Sequence, residues 1–192
     1  MYLSEQWLRE WVNPSVDTAT LAEQLTMAGL EVGGMTAAGP DFSGVVVGKI
    51  LSVDKHPDAD KLSICEVDAG QGKTQTIVCG APNVAADFFA PIALPGAKLP
   101  DGTKIRKTKL RGVESDGMIC AIDELGLGER LIDGVWLWSE SSVPGTDFRA
   151  FAKLDDQVLD IDLTPNRGDA LSVIGVAQEV AVLNGLESPA HA

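Results

Sequence analysis

The hydrophobic period of this 192-residue chain changes twice, and those two changes limit what it can fold into. Up to about residue 40 the apolar positions recur at helical spacing. Ser4 can cap a short helix carrying Trp7, Leu8, Trp11 and Val12, with Pro14 beyond its end. Thr20 followed by Glu23 has capping-box spacing, Leu21, Leu25 and Ala28 continue one face, and Gly29 supplies a stop. The turn-forming run LEVGGMTAAGP then marks a boundary near residues 33–40.

From Val45 the pattern is extended. VVVGKILSV is β-branched, LSICEV alternates, TIVC is a short apolar run, and FAPIALPG, KIRKTKLRG and GMICAI continue the series across Gly-rich turns. Five or six short strands at this spacing predict a small barrel or sandwich over residues 42–148. After Pro144 the period changes again. VLDIDLT alternates as a half-exposed strand, PNRGD turns, and Asp169 is placed to cap a helix ALSVIGVAQEVAVLNG that ends at Asn184 and Gly185. Neither flank is large enough to fold alone, so the two are expected to pack together with the β-rich middle inserted between them.

Apolar residues make up 45% and charged residues 22%, with no long biased tract, which predicts a folded chain. No stretch approaches the ~20 apolar residues of a membrane helix. MYLSEQWLREWV carries charges where a signal peptide is apolar, so the expected location is the cytoplasm. Cys65, Cys79 and Cys120 form no CxxC pair and read as buried free thiols.

Catalytic signatures are missing from the sequence. It holds no nucleophile elbow, P-loop, dinucleotide fingerprint or HExxH, and its second histidine, His191, lies in the tail. His56, Asp58 and Asp60 alternate as metal ligands only if their segment is extended. Pro57 and the small polar neighbours favour a turn, and a hard cation would want further carboxylates, so no metal site is predicted.

A net charge of −13 argues against general nucleic-acid affinity, but the charge is unevenly placed. Lys98, Lys104, Arg106, Lys107, Lys109 and Arg111 face only Asp101 in their window, and six against one leaves +5. Two readings fit: an edge strand protected by lysines, or a local phosphate-binding strip. Alternation puts Ile105, Lys107, Lys109 and Arg111 on one side of KIRKTKLRG, and neither side is cleanly apolar, as for an edge strand.

HPDADKL, CEVDAG, IVCGAPNV, APIALPGAKLP, KLRGVESDGMICA and DELGL, in that order, resemble the tRNA-binding OB-fold module of the EMAP-II type. The flanks, SEQWLREWV with AEQLTMAGLEV and DLTPNRGDALSVIGVAQEVAVLNG, resemble the split N-terminal domain of the bacterial phenylalanyl-tRNA synthetase β-subunit family. The resemblance implies an α+β fold in which a five-stranded OB-type β-barrel, residues 40–148, is inserted into a small split domain of residues 1–39 and 149–192. It implies an N-terminal piece of a longer subunit, without a catalytic site of its own. The parent would be an α2β2 synthetase using ATP and Mg2+, with tRNA(Phe) and the α subunit as partners; no cofactor is expected in this piece.

Five positions match those associated with tRNA contact in the module: Lys61, Asn83, Arg111, Ser115 and Met118. Lys107 and Lys109 join them from the basic strip. Local alternatives exist for three: Asn83 can hold a turn, Ser115 can bond its own loop, and Met118 can fill the core. Asn166, Arg167 and Asp169 read as local structure. Aromatic content is 5% and the single tyrosine is Tyr2, so binding is expected to lean on phosphates rather than base stacking. Two rival functions are an architectural module that packs subunits without touching tRNA, and a free-standing tRNA-binding module.

Overall fold

The computed structural model describes residues 1–129 and 133–190, so His191 lies outside the described residues. In chain order its first elements are β1 (Tyr2–Ser4), α1 (Glu5–Trp11), α2 (Thr18–Met27), β2 (Glu31–Ala37), β3 (Ser43–Lys55), β4 (Ser63–Asp68) and β5 (Thr74–Cys79). Then come β6 (Phe89–Lys98), β7 (Thr108–Leu110), β8 (Val113–Ser115), β9 (Met118–Ile119), α3 (Phe148–Phe151), β10 (Gln157–Asp162) and α4 (Val173–Asn184). Two compact units result: Met1–Ala38 with Asp155–Ala192, and Gly39–Leu154. No helix among the described residues is long and apolar enough to cross a membrane.

The first unit is a three-stranded antiparallel sheet, β1-β10-β2, packed by helices. Leu3, Leu8, Leu21, Leu25, Leu159, Ile161, Val176 and Val180 form its core. Ser4 begins α1 by accepting a hydrogen bond from Trp7 N at 3.0 Å, and its hydroxyl also donates to Asp156 at 2.6 Å. Asp156 is buried and accepts from Gln6 N as well, so a carboxylate from the C-terminal half satisfies the start of the N-terminal helix.

Three local expectations are corrected here. Asp17, not Thr20, caps α2 by accepting from Thr20 N at 2.8 Å, because a carboxylate one turn earlier is the stronger cap. Ser172 caps α4 through Gly175 N, while Asp169 sits in a preceding 3-10 turn and pairs with Arg167 at 3.0 Å. The glycine-rich run read as turn-forming is largely strand β2, which pairs along β10 with a bulge between Asp160 and Ile161, while the boundary expected near residues 33–40 falls between Ala38 and Gly39. There the ladder to a central strand overrides the low strand preference of Gly33 and Gly34.

The second unit is a curled five-stranded antiparallel sheet in the order β5-β4-β3-β6-β9, with β7 and β8 as a separate ribbon. β3 is long enough to pair with β4 at one end and β6 at the other. Val45, Val47, Ala93, Leu125 and Phe148 fill one cluster, and Ile50, Cys65, Val67, Ile77 and Ile92 another. Trp136 and Trp138 pack edge to face at 6.1 Å, and Trp138 stacks on Phe151 at 5.3 Å. Both tryptophan rings are half-buried partners of the core, while Phe151 is exposed.

KIRKTKLRG is not one strand. Gly96 N donates to Ile105 O and Ile105 N to Ala97 O, which buries Ile105, and the chain leaves the sheet before β7. Breaking the run there lets Ile105 enter the core while Lys104, Arg106 and Lys107 stay exposed.

Candidate nucleic-acid interface

The basic window is built from two tight structures. Leu99–Thr103 form a turn in which Asp101 accepts from Thr103 N and Thr103 Oγ1, both at 2.8 Å; these bonds hold the Asp101 carboxyl below its ordinary pKa. That turn sets Lys98 directly opposite Lys104 in an antiparallel bridge, with both side chains exposed. Like charges facing across strands destabilise by up to about 1 kcal/mol unless an anion lies between them.

The second structure is the β7–β8 ribbon, closed by Arg111 and Gly112 with φ of 47° and 92°. Positive φ at both central residues is the geometry of a tight two-residue hairpin turn, for which glycine suits the second position. Arginine at the first is an uncommon choice that costs about 1 kcal/mol or more, and it leaves the guanidinium at an exposed tip. Lys107 pairs with Asp116 at 2.8 Å, and that carboxylate raises the ammonium above its ordinary pKa. Lys61, Lys98, Lys104, Arg106, Lys109 and Arg111 are exposed, and none has an ion-pair partner among the described residues.

HPDADKL reaches this ribbon through a buried side chain. His56 is 5% exposed; its Nδ1 accepts from Asp58 N at 3.1 Å and its Nε2 lies 3.2 Å from Leu110 O, the last residue of β7. Because Nδ1 accepts, the proton resides on Nε2 and is donated to that carbonyl. Lys61 is thereby carried on a loop bonded to the arm that presents Lys109 and Arg111. No three potential metal-ligating side chains come together among the described residues.

Of the remaining candidates, Met118 lines a cavity of about 330 Å³, and Ser115 and Asn83 bond to Val78 and Val135, two other residues that line it. Met118 lies on its wall, half-buried. Ser115 is only 2% exposed: its Oγ accepts from Val78 N and donates to Gly117 O, both at 3.0 Å. Asn83 exchanges two hydrogen bonds with the Val135 backbone, at 2.8 and 2.9 Å. A Cβ on Gly134 would fall 1.9 Å from the Asn83 amide oxygen, so this clamp requires glycine there. Ser115 and Asn83 are therefore spent on holding the cavity's walls, while the exposed cations lie outside it. The Lys98–Lys104 opposition escaped sequence reasoning; two lysines either side of a PDGT turn are the signal for it.

Residues 45–146 match a family described as "Putative tRNA binding domain", more than half of the chain. The chain belongs to this tRNA-binding-domain family. It is 55% identical over 97% of its length to the phenylalanine-tRNA ligase beta subunit of Methylococcus capsulatus, and 53% identical over 97% to that of Thiobacillus denitrificans. The corresponding protein of Acinetobacter baylyi is 50% identical, again over 97%. The chain spans 23–24% of the length of these relatives. Among solved structures, "MetRS related protein from Pyrococcus horikoshii" aligns over 54% of this chain and 86% of its own, at 22% identity and a TM-score of 0.39.

Proposed function

We propose that the second unit binds tRNA through phosphates, on a rim made of Lys98, Lys104, Arg106, Lys109 and Arg111 with Lys61 beside it. The observation that carries this is the exposed, unneutralised opposition of Lys98 and Lys104 in a family of tRNA-binding domains. Cations held together without carboxylate partners are stabilised by a polyanion, and such contacts read backbone rather than sequence. Asn83, Ser115 and Met118 act behind the rim by shaping the cavity, and Lys107 is tempered by Asp116.

The unit is read as an OB-type barrel. The strand order β5-β4-β3-β6-β9 supports this reading, as does Asp116 N donating to Thr76 O at 2.8 Å, which brings the far end back to β5. The whole chain is read as the tRNA-binding portion of a phenylalanine-tRNA ligase β subunit, acting in the cytoplasm. In that setting a partner α subunit performs the ATP- and Mg2+-dependent charging of tRNA(Phe), and these residues contribute binding. The first unit supports a second, packing role. Tyr2, Trp7 and Met27 are 78%, 52% and 82% exposed, as suits a surface covered by other parts of a larger assembly.

Fluorescence anisotropy with unmodified tRNA at low salt tests the binding role. The wild-type chain is expected to bind, and the Lys104→Gln/Lys109→Gln/Arg111→Gln variant to lose most of that affinity at unchanged thermal stability. Equal affinity for both proteins would leave the packing role as the better account.

A further inference from the structure

The Lys61 loop and the Arg111 hairpin are far apart in sequence, and a single imidazole joins them across 54 positions. His56 is buried, and both of its ring nitrogens are committed: Nδ1 to Asp58 N on the loop, Nε2 to Leu110 O at the base of the hairpin turn. Leu62, at the other end of the loop, closes back by donating its N–H to Ala59 O, and His56 N donates to Leu62 O at 3.1 Å. The loop is therefore a small closed ring, and the imidazole bonds it to the ribbon.

Lys61 has no ion-pair partner among the described residues; the base of the hairpin is fixed to β5 by Ser115 accepting from Val78 N, whereas at its turn end it is the His56 bond to Leu110 O that ties it to the Lys61 loop. Two exposed cations on separate, short arms bind a polyanion weakly if each arm must be ordered on contact, because that ordering opposes binding. A pre-formed link between the arms removes this cost.

We propose that His56 is a positioning residue for the nucleic-acid rim: its neutral imidazole locks the Lys61 loop to the Arg111 hairpin, so that both cations meet one strand of phosphates together. The proposal rests on the phosphate-binding reading given above. It predicts that the contribution of Lys61 depends on His56.

Two substitutions separate the bonds of the ring. In His56→Asn the amide oxygen can replace Nδ1 and still accept from Asp58 N, but the side chain is too short to reach Leu110. In His56→Gln the amide nitrogen can replace Nε2 and still donate to Leu110 O. Affinity for unmodified tRNA would be measured across a salt series for the full chain, with each variant alone and combined with Lys61→Gln.

His56→Asn is expected to weaken binding about three- to tenfold and to lower the salt slope by nearly one contact, as Lys61→Gln does. Adding Lys61→Gln to His56→Asn should then change little, and His56→Gln should restore most of the affinity. A full Lys61→Gln effect in the His56→Asn background, or wild-type affinity for His56→Asn, overturns the proposal. If wild type binds and responds to Lys109→Gln and Arg111→Gln but not to His56→Asn, only the positioning role falls. If wild type does not bind at all, the phosphate-binding reading falls first. Should His56→Asn fail to fold, long-range 1H–15N spectra of the wild-type chain decide: the Nε2–H tautomer is required, and an Nδ1–H imidazole refutes the lock.

Discussion

Replacing Ser115 by alanine should cost folding stability before it costs anything else. The hydroxyl is 2% exposed and serves two backbone groups, accepting from Val78 N on β5 and donating to Gly117 O at the approach to β9. Alanine removes the hydroxyl from both, so the buried Val78 N–H and the part-buried Gly117 carbonyl lose these bonds. A stranded buried group costs about 1–3 kcal/mol, and with some relaxation the pair should cost about 2 kcal/mol. For a unit of residues 39–154 this corresponds to a fall of about 8 °C in Tm. The neighbouring Asp116 N–Thr76 O bond spans the same seam, so amide exchange at Val78 and Asp116 should accelerate together, ahead of β3 and β4. Urea titration, calorimetry and hydrogen exchange on wild type and Ser115→Ala would measure this. A change below about 0.5 kcal/mol, accompanied by weaker tRNA binding, would refute the reasoning and make Ser115 a contact rather than a clasp.

Other substitutions discriminate in the same way. Arg111→Asn should stabilise the hairpin by about 1 kcal/mol, because asparagine tolerates the left-handed φ of 47°, and should at the same time weaken tRNA binding; denaturation and anisotropy on one variant check both signs. Gly134→Ala should cost about 3 kcal/mol or more by urea titration, since its Cβ would overlap the Asn83 amide and its φ is 145°. Burial pushes the Cys65 and Cys120 thiols up to about 12, so both should resist alkylation at pH 8 until the chain unfolds. In the unfolded chain these thiols ionise near pH 9 while the folded ones stay protonated, so their contribution to stability should be level below about pH 9 and decline from there towards pH 12, as urea midpoints measured between about pH 8 and pH 11 would show.

Periodicity made the long elements legible. The apolar repeat of α4 with its stop at Gly185, and the β-branched run of β3, are visible because burial on one face or both leaves a regular pattern. β2 was hidden because its two glycines look like a turn until the partner β10 is known. The basic window was visible as composition, but its geometry was not. Whether KIRKTKLRG is one strand or a turn, a crossing and a ribbon depends on Ile105 bonding to Gly96 and Ala97, which are long-range facts. Likewise His56 beside two aspartates suggests a metal locally, and only Leu110 from 54 positions away gives its second nitrogen a different use.

The central claim is that unpaired cations of the second unit meet tRNA phosphates, and the salt dependence of binding tests it most directly. Each phosphate contact should add about 0.7–0.9 to the slope of log affinity against log salt concentration. The account predicts that the Lys104→Gln/Lys109→Gln/Arg111→Gln variant loses about 2 to 2.7 from the wild-type slope. Binding by wild type with a slope that these three substitutions leave unchanged would contradict it.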